Sequence, residues 1–155
     1  MTAASPFSEG TVLMPWKPGP GADSAGAVFV SVTDFLATSE QDVRQIYREG
    51  LDLGETWPVL QGAVGVWLWG RPAQLRGGSI SVWDSEQDMR RFVRWPVHAR
   101  IMRAWRGRVR VGTDSWQADR FDIESVWARA GRTIEGPHRG ARRGDASASS
   151  GEDRR

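Results

Sequence analysis

The sequence predicts an α+β fold whose elements run strand, helix, strand, strand, helix, strand. Three observations carry this. Four segments alternate apolar with other residues at a period of two, as half-buried strands do. Two segments among them place apolar residues at helical spacing behind a Ser cap. Gly, Pro and Ser mark the connections and both chain ends. This order is the split β-α-β, or ferredoxin-like, arrangement. Its sheet buries one face under two helices and needs a cover for the other, which a homodimer supplies most simply.

The elements follow in order. Residues 1–26 are rich in Gly, Pro, Ser and Ala, and Met14-Pro15-Trp16-Lys17-Pro18-Gly19-Pro20-Gly21 admits neither a helix nor a central strand. This segment reads as an irregular arm with Trp16 as its anchor. Residues 27–34 form the first strand, with Val28, Val30 and Val32 on one face and Phe29, Ser31 and Thr33 on the other. The Ser31/Thr33 face suits a cavity. Ser39 caps the first helix, whose stripe is Val43, Ile46, Tyr47 and Leu51, and Trp57-Pro58 ends it. Residues 63–69 form the second strand, with Val64, Val66 and Leu68 opposite Ala63, Gly65, Trp67 and Trp69. Trp67 and Trp69 are placed on the face that meets a partner. Residues 70–78 read as a loop.

The central stretch is residues 79–106. Ile80 and Val82 alternate with Ser79, Ser81 and Trp83; Asp84 or Ser85 then caps a helix with Met89, Phe92 and Val93 on its apolar side. Pro96 breaks or kinks it, and His98, Ile101, Met102 and Trp105 share the face beyond. Residues 108–116 form the last strand, bulged near Gly112. Residues 121–130 read as a short helix or an extra strand. The folded domain is thus 27–130, and residues 131–155 read as a disordered tail. His138 lies in that tail and receives no role.

Composition narrows the function classes. The chain has 155 residues, enough for one core. No apolar run approaches the roughly 20 residues of a membrane span, and no secretory signal is visible. Cysteine is absent, which excludes disulfides and thiol chemistry and fits a cytoplasmic setting. The net charge of +2 arises wholly after Gly131, so the high pI of 9.9 reflects arginine in place of lysine, Lys17 being the only lysine. Arg90, Arg91, Arg94, Arg100, Arg103, Arg106, Arg108 and Arg110 read as a solvated helix face, and no nucleic-acid partner is expected. Two histidines without cysteine make a zinc site improbable. His98, on an apolar helix face, reads as a general base, a haem ligand or a hydrogen-bonded structural histidine.

Trp83-Asp84-Ser85-Glu86, followed by Met89, Phe92 and His98, resembles the signature of the antibiotic-biosynthesis-monooxygenase-like superfamily. Phe29-Val30-Ser31-Val32-Thr33 and Trp116 look closer to a branch of uncharacterised monooxygenase-like proteins, distantly similar to spheroidene monooxygenase. The resemblance covers about residues 27–122. It implies a dimeric α+β barrel of two ferredoxin-like units, with a pocket between sheet and helices. Members differ in chemistry: some oxidise quinols or anthrones with O₂ and no cofactor, some bind haem, others isomerise, form lactones or only bind. The haem-degrading branch carries an Asn and a Trp and His at set spacings, where this chain has Asp34, Phe92 and Met102, which argues against haem degradation.

The resemblance implies a small oxygenase-like enzyme of natural-product metabolism acting on a hydrophobic aromatic or polyketide-like substrate without a cofactor. His98 would be the base; Ser31, Thr33 or Tyr47 would hold an oxyanion; Trp83, Met102 and Trp105 would form the apolar wall. The alternatives are haem ligated by His98, a cofactor-free isomerase or cyclase using the same base, and a non-catalytic dimeric binder.

Overall fold

In a computed structural model, which describes residues 5–138, six strands form one antiparallel sheet. The elements are β1 (Val12–Leu13), β2 (Lys17–Pro18), β3 (Val28–Leu36), α1 (Glu40–Gly54), β4 (Ala63–Arg71), β5 (Arg76–Trp83), α2 (Glu86–Arg94), α3 (Pro96–Trp105), β6 (Arg110–Ala118) and α4 (Ile123–Glu135). Across the sheet the order is β6-β3-β5-β4, with β1 and β2 both on the outer edge of β4. The fold is ferredoxin-like. Two helix starts follow from their caps: Ser39 accepts from the Asp42 amide, and Ser85, not Asp84, accepts from the Asp88 amide.

The structure revises several local expectations. Residues 70–78 are not a loop: β4 and β5 run on into a tight hairpin around a 3₁₀ turn at Pro72–Gln74, with Gly70 opposite Gly77. Of the two outcomes expected at Pro96, the break is the one found, and the proline opens a second helix. Trp95 takes an extended ψ of 131°, and the ring then occupies the first helical turn, where no amide partner is needed. The strand irregularity lies in β4, between Ala63 and Gly65, and Gly112 pairs in register with Asp34. That irregularity puts Val64 on the same face as Trp67 and Trp69, and leaves Val66 and Leu68 on the other.

The second sheet face is where sequence and structure differ most. Val28, Val30, Val32, Val64, Trp67, Trp69, Ile80 and Val82 are covered by the same chain. Residues 121–130 are helical, and α4 lays Val126, Ala130 and Ile134 on this face. The arm adds Phe7, Leu13 and Trp16. Trp16 sits 4.2 Å from Trp67 and 5.3 Å from Phe121, ring centroid to centroid. It fits because residue 65 is glycine: a Cβ there would lie 1.9 Å from the Trp16 ring. Burial of this face therefore requires no partner subunit, and Trp67 and Trp69 are internal.

The folded region also extends past residue 130. The Arg76 guanidinium is 3% exposed and pairs with both oxygens of fully buried Asp34, at 3.2 and 2.8 Å. It also donates to the Thr133 and Gly136 carbonyls at 3.1 and 2.7 Å, and Arg71 donates to that of Ile134. Two sheet arginines thus satisfy the open carbonyls at the C-terminus of α4, where the helix dipole favours cations. His138, expected in a tail, is buried with Nε2 2.9 Å from the Asp34 carbonyl oxygen. The rest of the expected tail, residues 139–155, lies outside the described residues. Among the described residues no helix is long and apolar enough to cross a membrane.

Candidate active site

On the face opposite α4 the helices do not close down on the sheet. α1 keeps its apolar side, Val43, Ile46, Tyr47 and Leu53, only partly covered, and α2 buries no residue fully. The gap is a cavity of about 1280 Å³ between the sheet, α1 and the α2–α3 pair. This exceeds the roughly 300–1,000 Å³ that small-molecule sites usually occupy. Two contacts hold the roof up. At one end Trp57, Trp83, Phe92 and Met89 pack as an aromatic prop. At the other, the Trp105 indole N–H donates to Glu49, and Arg108 bonds Asp42 at 2.8 Å, tying the end of α3 to α1. Over β6 the cavity opens to solvent past exposed Val111, Thr113 and Ser115.

The floor follows from strand register. Ser31 lies between Ser81 and Ser115, and Thr33 between Ser79 and Thr113. Three neighbouring strands thereby present six hydroxyls in two rows, with neighbouring strands about 4.8 Å apart. β4 completes the rows with Val66 and Leu68. The first row is internally bonded: Ser31 and Ser115 hydroxyls share a bond of 3.1 Å, Ser81 donates to the Ser31 carbonyl, and Trp83 Nε1 donates to Ser81 at 2.9 Å. The second-row hydroxyls of Ser79, Thr33 and Thr113 make no side-chain hydrogen bond among the described residues, so they are open to a ligand's oxygens. The signal was present in the sequence as Ser/Thr pairs two apart in three strands, of which only Ser31/Thr33 was read as a site.

His98 hangs from the first turn of α3 into this space. Its ring packs on Phe92 at 4.6 Å between centroids, and Phe92 is backed by Trp57 and Trp83 at 5.2 and 5.1 Å. Its Nδ1 lies 3.2 Å from the Val93 carbonyl oxygen. A carbonyl only accepts, so Nδ1 carries the proton and Nε2 keeps its lone pair in the neutral ring. Desolvation by burial lowers the His98 pKa below its ordinary value, against a smaller opposing effect of the Val93 bond. The imidazole is therefore neutral at pH 7.

Of the residues singled out from the sequence, His98, Ser31, Thr33, Tyr47, Trp83 and Met102 all line the cavity. Tyr47 is 38% exposed, and its hydroxyl bonds Met14 Sδ of the arm at 3.0 Å, which makes it a weaker candidate for holding an oxyanion. Trp105 does not line the cavity. It is buried with its N–H on Glu49 and the Arg108 guanidinium 4.3 Å above its ring, so it is a brace between helices. Trp57, read from the sequence only as a helix stop, takes its place in the wall. A proline beside a tryptophan reports chain direction, not which element the indole will meet.

No family model matches the chain, and no curated protein does. Several solved structures match it in shape, two of them with a TM-score above 0.5. An uncharacterised ferredoxin-fold protein from Listeria monocytogenes, related to antibiotic biosynthesis monooxygenases, superposes with a TM-score of 0.54 at 12% identity, covering 72% of this chain and 65% of that one. A monooxygenase-like protein from Listeria innocua superposes with a TM-score of 0.51 at 13% identity, covering 71% and 64%. The likeness is one of fold. The chain spans just under two thirds of the length of both structures.

Proposed function

We propose that the protein is a small oxygenase-like enzyme that binds a flat aromatic or polyketide-like metabolite in the cavity and uses His98 as general base. The observation that carries this reading is the His98 hydrogen bond. With Nδ1–H held by the Val93 carbonyl, the ring is fixed in one tautomer and Nε2 is the basic atom available to the cavity. The aromatic prop of Trp57, Trp83 and Phe92 supplies a stacking wall beside it. The hydroxyl floor supplies donors for ring oxygens.

For an anthrone the chemistry balances without a cofactor. Nε2 takes a proton from the acidic ring methylene, and the enolate oxygen accepts hydrogen bonds from floor hydroxyls such as Thr33. The carbanion passes one electron to O₂, and the two radicals combine into a peroxide anion on that carbon. The imidazolium returns its proton to the peroxide. Loss of the remaining C–H proton and of hydroxide then gives the ketone and one water. Substrate supplies all the electrons, so no external reductant enters.

The test is O₂ uptake with a panel of anthrones and quinols. His98→Ala should keep substrate affinity, read by tryptophan quenching, and lose turnover by about 10²-fold or more. Unchanged turnover in the variant would remove His98 from the chemistry. Binding without turnover by the wild-type protein would make it a binding protein.

The same free Nε2 supports a second reading, haem held by His98. The donor set fits: one neutral imidazole in a largely apolar cavity, with arginines in its lining. Bound haem would supply O₂ or redox chemistry, while His98 would hold the iron and Trp57, Trp83 and Met102 would exclude water. Titration with haem decides between the readings: a Soret band that His98→Ala abolishes favours haem, and its absence favours the base.

A further inference from the structure

We propose that the ligand of this cavity is an acid, with a carboxylate or equivalent anion paired to Arg94, Arg103 and Arg106 while its flat body lies over the hydroxyl floor. The inference deepens the reading above and rests on the cavity being the binding site. The cavity-lining flank of α3 carries His98, Ala99, Met102 and Arg103, and Arg106 follows one turn after Met102. This spacing puts both guanidiniums on the side that carries His98. Arg94, at the end of α2, lines the same space.

Charge pairing separates these three from Arg90, Arg91 and Arg108, and position separates them from Arg100 and Arg110, which do not line the cavity. Arg90 pairs with Glu86, Arg91 with Asp88 and Arg108 with Asp42, at 2.8 to 2.9 Å. Arg94, Arg103 and Arg106 have no carboxylate partner among the described residues. The one acid in the lining, Glu40, leans toward Arg44 at 3.7 Å. Arg76 also borders the cavity, but Asp34 and the end of α4 saturate it. The lining is therefore positively unbalanced, beside low-dielectric walls that concentrate the potential. A guanidinium's planar donors match a carboxylate in two parallel bonds. A neutral ligand would leave all three cations facing water; an acidic one gains pairing there and stacking and hydroxyl contacts deeper in.

The test compares two probes with one body, anthraquinone-2-carboxylate and 2-(hydroxymethyl)anthraquinone, titrated into the full chain by tryptophan quenching. The acid should bind roughly tenfold more tightly than the alcohol, and Arg103→Gln/Arg106→Gln should erase that preference while the alcohol's affinity stays put. Unchanged alcohol binding doubles as the check that the variant folds. On the wild-type protein, raising KCl from about 0.05 to about 0.5 M should weaken the acid and spare the alcohol. Equal affinity for both probes, or a preference that survives the substitutions and salt, overturns the proposal and leaves the cavity as the site of a neutral ligand. Failure of both probes to bind overturns the cavity reading as well. Haemin, itself a dicarboxylate, is titrated alongside: a Soret band lost in His98→Ala assigns the acid as haem, and its absence with the anthraquinone preference intact assigns a metal-free acid.

Discussion

Replacing Arg76 with methionine should loosen α4 from the sheet and cost about 3–5 kcal/mol of stability, the usual result of stranding one member of a buried ion pair. The number follows from the surroundings of Asp34. That carboxylate is 0% exposed and receives two guanidinium bonds, at 2.8 and 3.2 Å, both from Arg76. Methionine fills comparable volume but donates nothing, so the anion loses its guanidinium partner and keeps only the His138 imidazole, 3.9 Å from Oδ1, beside it. The Thr133 and Gly136 carbonyls lose their donors in the same step. Against a total stability of about 5–15 kcal/mol this is a large fraction. Urea unfolding followed by tryptophan fluorescence reads it: with a slope near 2 kcal/mol per M, the midpoint should fall by about 2 M. Adding Asp34→Leu to Arg76→Met removes the stranded charge and should restore much of the loss. A single variant within about 0.5 kcal/mol of wild type, or a double variant no better than the single, would refute the idea that this pair braces α4.

Four further outcomes are expected. Because burial lowers the His98 pKa below 6.5, base-dependent turnover should hold through neutral pH and fall only as pH drops below that ordinary value and the ring protonates; a profile already falling at pH 7 would contradict a desolvated base. The stability carried by burying His98 neutral should fall in the same direction, since the unfolded chain takes up the proton first. Gly65→Ala should displace Trp16, whose ring atoms stand 1.9 Å from the new Cβ, costing roughly 1–3 kcal/mol and exposing the arm to limited proteolysis; an unchanged melting curve would show that the arm yields freely. Trp105→Phe should lower stability by about 1 kcal/mol or more by removing the Glu49 bond and weakening the Arg108 stacking; an unchanged melting curve would show that this brace contributes nothing to stability.

The two faces of the sheet were unequally legible. On the cavity face, Ser31, Thr33, Ser81 and Trp83 alternate with Val30, Val32, Ile80 and Val82, and strand pleating alone assigns them to one side. On the α4 face the same alternation showed what was buried but not what buried it. Phe121, Val126 and Ile134 look like any short amphipathic run, and the charge-rich residues after Gly131 resemble a free tail. Only once α4 docks do Arg71 and Arg76 reach its carbonyls and His138 reach the Asp34 carbonyl. A dimer inferred from an uncovered face therefore had the wrong premise.

The sequence by itself determined the central strand, helix, strand, strand, helix, strand order, the cap at Ser39, the chain stop at Pro96 and the candidacy of His98. These depend on contacts within a few residues, which local order encodes directly. Tertiary structure alone decided the one-residue irregularity that turned Val64 over, the six-hydroxyl floor assembled from three strands and the exchange of Trp57 for Trp105 in the wall. It also decided which arginines face the cavity without a partner. Each depends on residues distant in sequence meeting at fixed separations, and a single slip in register or a rotation of one helix would rearrange them all.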